Sequence, residues 1–287
     1  MLTVDEIREL RRLHLSAGRK VDSLFAGEYR SAVRGKGMEF EEVRAYVVGD
    51  DVRHLDWNVT ARTGEPHVKV FREERQVTVL LLVDVSGSTR LGSGGRDGRT
   101  DRRLQIARVA GGIAYASLRN QDRVGLVTFT DRIETVLVPR RSRGHAWSVI
   151  DAVYRGQAEG RGTDLSEAAR FVRSVQRRRS VVVVVSDFID PGPWDQPLGS
   201  LARRHKVHAV CVHDPLDASF SGLGLVEVVD AETGARQLVD GGDSDALPLS
   251  DRLTRLRRTG ARVVSLSTLD DPFAVLLQHF HREGVKR

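Results

Sequence analysis

The residues best suited to chemistry close the first strongly apolar run of the chain. Val83-Asp84-Val85-Ser86-Gly87-Ser88-Thr89 places a carboxylate and two hydroxyls at i, i+2 and i+4, at the end of a β-branched and leucine stretch running from Val77 to Val85. Where a chain leaves a strand and bends, this spacing aims three oxygens at one point. Such donors suit a hard divalent cation. Mg2+ takes oxygen ligands in an octahedron and keeps some of them as water. With few formal charges around it, the ion stays able to accept a further carboxylate from elsewhere. Two more oxygens stand at matching places. Gly162-Thr163-Asp164 opens an amphipathic stretch, and a second apolar run ends Val185-Ser186-Asp187. If the two runs are neighbouring strands, Asp187 stands beside Asp84.

The elements that must position these residues are legible from periodicity. Val77 to Val85 and Ser180 to Ser186 are near-continuous β-branched runs, as in strands buried on both faces. Val124 to Phe129, Arg132 to Val138, Val207 to Val212 and Arg262 to Leu266 read as further strands. Apolar residues recur at helical spacing over Leu104 to Leu118, Trp147 to Tyr154, Leu165 to Val175, Leu198 to Arg204, Leu247 to Arg258 and Pro272 to Phe280. Leu225 to Val229 and Arg236 to Val239 bracket Glu232-Thr233-Gly234 as a hairpin. Strands alternating with helices predict an α/β fold, a Rossmann-like doubly wound and mostly parallel sheet. Its functional crevice lies at the carboxyl ends of the central strands. Residues 1–76 differ. Val4 to Leu15 reads as a helix, Met38 to Val48 and His67 to Arg72 as extended, and Gly49-Asp50-Asp51 as a turn. The expected division is a small β-containing module, 1–76, ahead of a sheet-and-helix domain, 77–287.

The set Asp84, Ser86, Ser88, Thr163 and Asp187 is similar, in order and in placement, to the metal-ion-dependent adhesion site (MIDAS) of von Willebrand factor A domains. The resemblance implies Mg2+ as cofactor, with Mn2+ or Ca2+ as alternatives. A second resemblance lies upstream, in Gly35-Lys36-Gly37-Met38-Glu39-Phe40, Gly49-Asp50-Asp51-Val52-Arg53-His54-Leu55-Asp56-Trp57, Ala61-Arg62 and Val68-Lys69-Val70-Phe71-Arg72. This segment resembles the bacterial domain-of-unknown-function 58 family, in which it precedes a von Willebrand A-like domain. Asp214-Pro215-Leu216-Asp217 and Asp230-Ala231-Glu232-Thr233-Gly234 resemble that family too. Many of its members carry N-terminal membrane helices, and this chain resembles the shorter soluble form. The resemblance implies a MoxR-type AAA+ ATPase as associate and a role as adaptor in remodelling or maturing another protein.

The opposite charges Asp50, Asp51, Arg53, Asp56, Arg62, Arg72 and Glu74 cluster in sequence around Trp57 and Tyr46. They are expected to form a buried salt-bridge network. The rival expectation is a partner-recognition surface made by Asp50, Asp51, Arg53, Asp56, Trp57 and Arg62.

Composition removes several classes. One cysteine, Cys211, excludes a disulfide-stapled scaffold and a cysteine-rich zinc site. The longest apolar runs fall far short of the roughly 20 residues of a membrane helix. The N-terminus is acidic early and does not read as a signal peptide. A soluble cytoplasmic protein is the expectation, with no membrane partner. The chain of 287 residues carries 45 basic and 39 acidic side chains, for a net charge of +6. Residues 1–76 balance at 14 of each, so the whole excess falls after residue 76. It is almost all arginine, in Arg90 to Arg103, Arg140 to Arg143, Arg173 to Arg179 and Arg252 to Arg262, and is expected to be a solvated surface. Aromatic residues do not interleave with these clusters as in single-strand binders, so nucleic acid ranks low as a partner.

The other motifs are incomplete. Haloacid-dehalogenase enzymes need a second Asp where Ser86 stands. The P-loop lysine is replaced by Arg99, and no Gly-x-Ser-x-Gly elbow surrounds Ser86. His208 alternates with valines and reads as packed in a strand. His213, at a strand end, lies nearer the crevice. The Gly/Arg-rich loop 91–101 follows the metal motif as rim or as solvated insertion. The reading is therefore a non-catalytic metal-dependent adaptor whose protein partner offers an acidic residue to the ion. A metal-dependent hydrolase or phosphotransferase using Asp84 is the alternative, and a nucleic-acid binder the second.

Overall fold

The structure is a computed structural model that describes residues 38–73, 77–90, 102–156, 158–160, 162–190, 192–215, 225–229, 236–240 and 248–285. The helix expected over Val4 to Leu15 and the loop 91–101 lie outside them, as do Gly35-Lys36-Gly37, Glu74, Leu216-Asp217 and Asp230 to Gly234. By contact, the described residues up to Val77 form one compact unit and those from Thr78 a second.

The smaller unit is an antiparallel pair, β1 (Met38–Ala45) and β2 (His67–Glu73), with a register shift between Phe40 and Glu42. The extended stretch expected to reach Val48 ends at Ala45. Beyond it the Arg44 guanidinium holds the Asp50 carboxylate through two 2.7 Å hydrogen bonds, closing a turn. A short helix not expected from periodicity, α1 (Trp57–Thr63), follows. Asp56 caps its first turn by accepting from Asn58 N and Val59 N, and Gly64 ends it at φ 78°. Seven residues are too few for a helical period to show, so the caps are its only sequence signal.

The larger unit carries a six-stranded sheet in the order β10-β7-β6-β3-β4-β5. Its strands are β3 (Thr78–Asp84), β4 (Arg123–Phe129), β5 (Ile133–Arg140), β6 (Val181–Ser186), β7 (Lys206–His213) and β10 (Arg262–Ser267). All neighbours are parallel except the β4–β5 hairpin at one edge. The expected hairpin is present as the antiparallel pair β8 (Leu225–Val229) and β9 (Arg236–Asp240). Its strands pair with each other, outside the main sheet.

Helices cover both faces of the main sheet. α2 (Arg102–Arg119), α3 (Arg143–Arg155) and α7 (Pro272–Val285) pack one side. α4 (Leu165–Val175), α5 (Asp195–Arg204) and α6 (Leu249–Arg258) pack the other. The period-2 rule sorts the strand residues between them. Leu80, Leu82, Val182 and Val184 meet Leu165, Ala168, Ala169 and Val172 of α4 and Leu198 and Leu201 of α5. Every residue of β6 is buried, as its unbroken valine run predicts. Among the described residues, no helix is long and apolar enough to cross a membrane.

His208 is buried as expected, on the sheet face covered by α7, with its Nδ1 2.8 Å from His279 Nε2 and its ring against Phe280. Burial, then the fields of His279, Lys206 and Arg262, hold it well below the ordinary 6.5. The fold therefore keeps His208 neutral where the unfolded chain takes up a proton. Its stabilising contribution is present above about pH 6.5 and is lost as pH falls below it. His208→Gln should make the fall in melting temperature between about pH 7 and about pH 5 shallower than in the wild type. Equal slopes in thermal unfolding would contradict this assignment.

Candidate metal centre

Asp84 is the last residue of β3, on the same strand face as Leu80 and Leu82. The parallel register pairs Val83 with Val185, so Asp84 falls opposite Ser186. The two meet directly: Ser186 Oγ donates to Asp84 Oδ2 at 2.7 Å. The other carboxylate oxygen accepts from Ser86 N at 2.9 Å. That bond turns the loop so that Ser86 Oγ and Ser88 Oγ lie 3.2 Å apart. Asp84 is fully buried. Burial first, and then the neighbouring Asp187 carboxylate, push it up to about 7, against the hydrogen bonds that favour its ionised form.

Asp187 follows Ser186 just past the end of β6. Its Oδ1 accepts from Ile189 N at 3.1 Å. Its Oδ2 is buried and accepts no hydrogen bond from the described residues. Phe188, next in the chain, takes a left-handed φ of 55°, uncommon for a bulky residue. Its N–H donates to Ser186 Oγ and its ring packs on Trp194. This over-determined turn sets the direction of Asp187.

Three arginines that sequence reasoning assigned to a solvated surface are buried around these loops. Arg102 Nη1 lies 3.5 Å from Asp187 Oδ2 and donates to Ser88 O at 3.3 Å. Arg103 donates to Val85 O and to Val153 O. Arg252 donates to Asp187 O at 2.7 Å. Nothing local distinguishes them from the surface arginines nearby; the fold brings them in from α2 and α6. Ser186 meets Asp84 through the β3–β6 register, which neither strand encodes by itself.

Thr163 is half-buried on the loop ahead of α4. Its neighbour Asp164 caps α4 through Glu167 N and donates its own N–H to Thr130 O, at the end of β4 beside β3. The approach to Thr163 is clamped by a residue the sequence did not flag. Glu134 Oε1 accepts from Thr130 Oγ1 at 2.6 Å, from Gly160 N at 2.8 Å and from Glu159 N at 3.1 Å. Gly160 is required there, since a Cβ would stand 2.0 Å from Thr130 Oγ1 and 2.1 Å from an Asp131 oxygen.

His213 hydrogen-bonds Ser265 on the outer strand β10. In the smaller unit, the expected buried salt-bridge network is not found among the described side chains, which exclude Arg72 and Glu74. Arg44–Asp50 and Asp51–Arg53 are local pairs, and the arginines are exposed. Short sequence separations, six and two residues, make surface turns rather than a core. Asp56 is spent on the α1 cap and on Lys69 at 3.5 Å. Arg62 is exposed and Trp57 is 71% exposed.

The sequence matches the family described as protein of unknown function DUF58 over residues 42–249. The chain belongs to the DUF58 family. A relative in Mycobacterium tuberculosis, the uncharacterized protein Rv1480, is 35% identical over 228 residues, 78% of this chain and 70% of that protein. Two solved structures are similar in fold. The conserved hypothetical protein BatB from Bacteroides thetaiotaomicron aligns over 74% of this chain and 100% of its own, with TM-score 0.52 and 15% identity. An aerotolerance-related membrane protein from Bacteroides fragilis aligns over the same shares, with TM-score 0.53 and 16% identity. At these identities the likeness shows the fold alone. That fold is the expected α/β class, a mostly parallel six-stranded sheet flanked by helices, with a small antiparallel N-terminal sheet.

Among the described residues, no group of three or more His, Cys, Asp or Glu is placed to hold a metal. The donors here are of another class, two carboxylates with hydroxyls. A buried carboxylate oxygen that accepts no hydrogen bond, beside a second buried carboxylate, fits a hard cation.

The loop clamp has a measurable consequence. Glu134→Ala leaves Gly160 N without its acceptor and Thr130 Oγ1 with only the longer bond to Asp131, and should cost about 1–3 kcal/mol. Gly160→Ala should be at least as damaging. Both should speed amide exchange over residues 158–165, and unchanged protection there would refute the clamp.

Proposed function

We propose that this chain is a non-catalytic, metal-dependent protein-binding adaptor. The observation that carries the reading is the meeting of Asp84, Ser86, Ser88 and Asp187 at adjacent strand ends, with one carboxylate oxygen unengaged by any hydrogen bond from the described residues. Asp84, Ser86, Ser88 and Thr163 would hold Mg2+ directly or through water, and Asp187 directly or from behind. Mn2+ and Ca2+ are the alternatives. Bound there, the ion supplies an electrophilic centre for one carboxylate oxygen from a partner's Asp or Glu.

The chain's own residues do the rest. Ser186 and Ser86 N orient the Asp84 carboxylate. Glu134 and Gly160 hold the approach to Thr163. The arginine excess of the larger unit favours an acidic protein surface. The family resemblance points to a MoxR-type AAA+ ATPase as partner, in the cytoplasm. Exposed Trp57 and Arg62 are residue types that dominate binding energy at protein interfaces, which supports the smaller unit as a second contact.

Affinity purification with Mg2+ and with EDTA tests this reading. Asp84→Ala should weaken Mg2+-dependent retention of a purified AAA+ partner by about tenfold or more while unfolding stays cooperative. Retention unchanged by the substitution or by EDTA would overturn the adaptor reading. So would Mg2+-dependent turnover of phosphoesters or peptides that disappears in Asp84→Ala. Trp57→Ala should weaken retention by about tenfold without altering its Mg2+ dependence. Full retention would remove the smaller unit from the interface.

A further inference from the structure

The site holds a cation of its own. Arg102, the first residue of α2, is buried with its guanidinium between the two loops of the site. A single nitrogen, Nη1, spans them, donating to Ser88 O at 3.3 Å and lying 3.5 Å from Asp187 Oδ2. The second distance is an ion pair too long for a good hydrogen bond, and Asp187 Oδ2 accepts no other from the described residues. Arg252 and Arg103 are held differently, each donating at 2.7 Å to a backbone carbonyl, Asp187 O and Val85 O. Arg102 faces a described carboxylate, Asp187, and the contact is loose.

We propose that Arg102 is an internal competitor of the metal, neutralising the Asp84–Asp187 pair in the metal-free protein and leaving Asp187 when a divalent cation enters. The inference rests on the reading of this site as a metal centre. Its physical basis is charge. Two buried carboxylates side by side need a positive neighbour. A guanidinium supplies one charge without metal, and a divalent ion beside it would add repulsion at close range. The oxygen that would gain most from a metal is the one Arg102 holds at 3.5 Å. Arg102 also holds the Ser88 carbonyl, so its departure releases the loop that carries Ser86 and Ser88. Metal entry and rearrangement of that loop are then one event. Linkage is reciprocal: whatever strengthens the Arg102 contact weakens metal binding by the same factor.

Calorimetric titration of Mg2+ into the wild-type chain, Arg102→Gln and Arg102→Lys, with thermal unfolding in EDTA, tests the proposal. Arg102→Gln should bind Mg2+ at least about fivefold more tightly than the wild type and melt at a lower temperature in EDTA. Arg102→Lys, which keeps the charge, should fall between them. Should Arg102→Gln not fold, Arg102→Lys and an arginine side-chain NMR resonance decide. In the wild type, the Arg102 Nε signal, assigned by its loss in Arg102→Lys, should shift on Mg2+ saturation. Equal Mg2+ affinities, or an unshifted signal at saturation, would overturn the role of Arg102 and leave the metal reading standing. No heat from Mg2+, Mn2+ or Ca2+ in either the wild type or the variants would overturn both.

Discussion

Two carboxylates are buried next to each other where adjacent parallel strands end, and the rest of the site is organised around that fact. Asp84 and Asp187 lose most of their hydration, and the Asp187 carboxylate disfavours the ionised form of Asp84. Isolated buried charge of this kind is unfavourable by several kcal/mol or more. The structure answers with hydroxyl and amide donors on Asp84 and with a guanidinium near Asp187. Burying both groups without a dedicated cation would be a poor solution for stability alone. It would be a sensible one for a site that takes up a metal ion, as proposed.

The same constraint explains where part of the basic excess resides. Arg102, Arg103 and Arg252 are interior residues that brace the two loops through their carbonyls and one carboxylate. A guanidinium suits this work because it remains charged when buried and presents several donors in a fixed plane. The clamp at Glu134 is its counterpart on the third loop, with a carboxylate that gathers three donors and holds the chain ahead of Thr163. Both devices act on backbone groups, which lets a few side chains fix whole loops.

Local patterning carried the fold far. The valine run of β6, the apolar stretch of β3 and the i, i+3, i+4 spacing in α4 each identified an element whose observed bounds differ by at most a residue or two. The misses have physical causes. α1 is too short to show a period and exists because Asp56 and Gly64 cap it. The charged segment around Trp57 suggested a buried network because opposite charges are dense there, yet pairs two and six residues apart close on themselves at the surface. Periodicity sees neither caps nor the exposure of an ion pair.

From the sequence alone came the α/β class, the mostly parallel sheet and the placement of Asp84, Ser86, Ser88, Thr163 and Asp187 at strand ends or helix starts. These follow from hydrophobic period and from the spacing of oxygen-bearing residues, which are properties of short windows. Tertiary structure alone decided that Ser186 is the residue bonded to Asp84, that Glu134 and Gly160 shape the approach to Thr163, and that Arg102 stands at Asp187. Each of those depends on strand register or on contacts between residues 26 to 102 positions apart. No local pattern encodes such meetings, because they arise only when the sheet is assembled and its helices are laid across it.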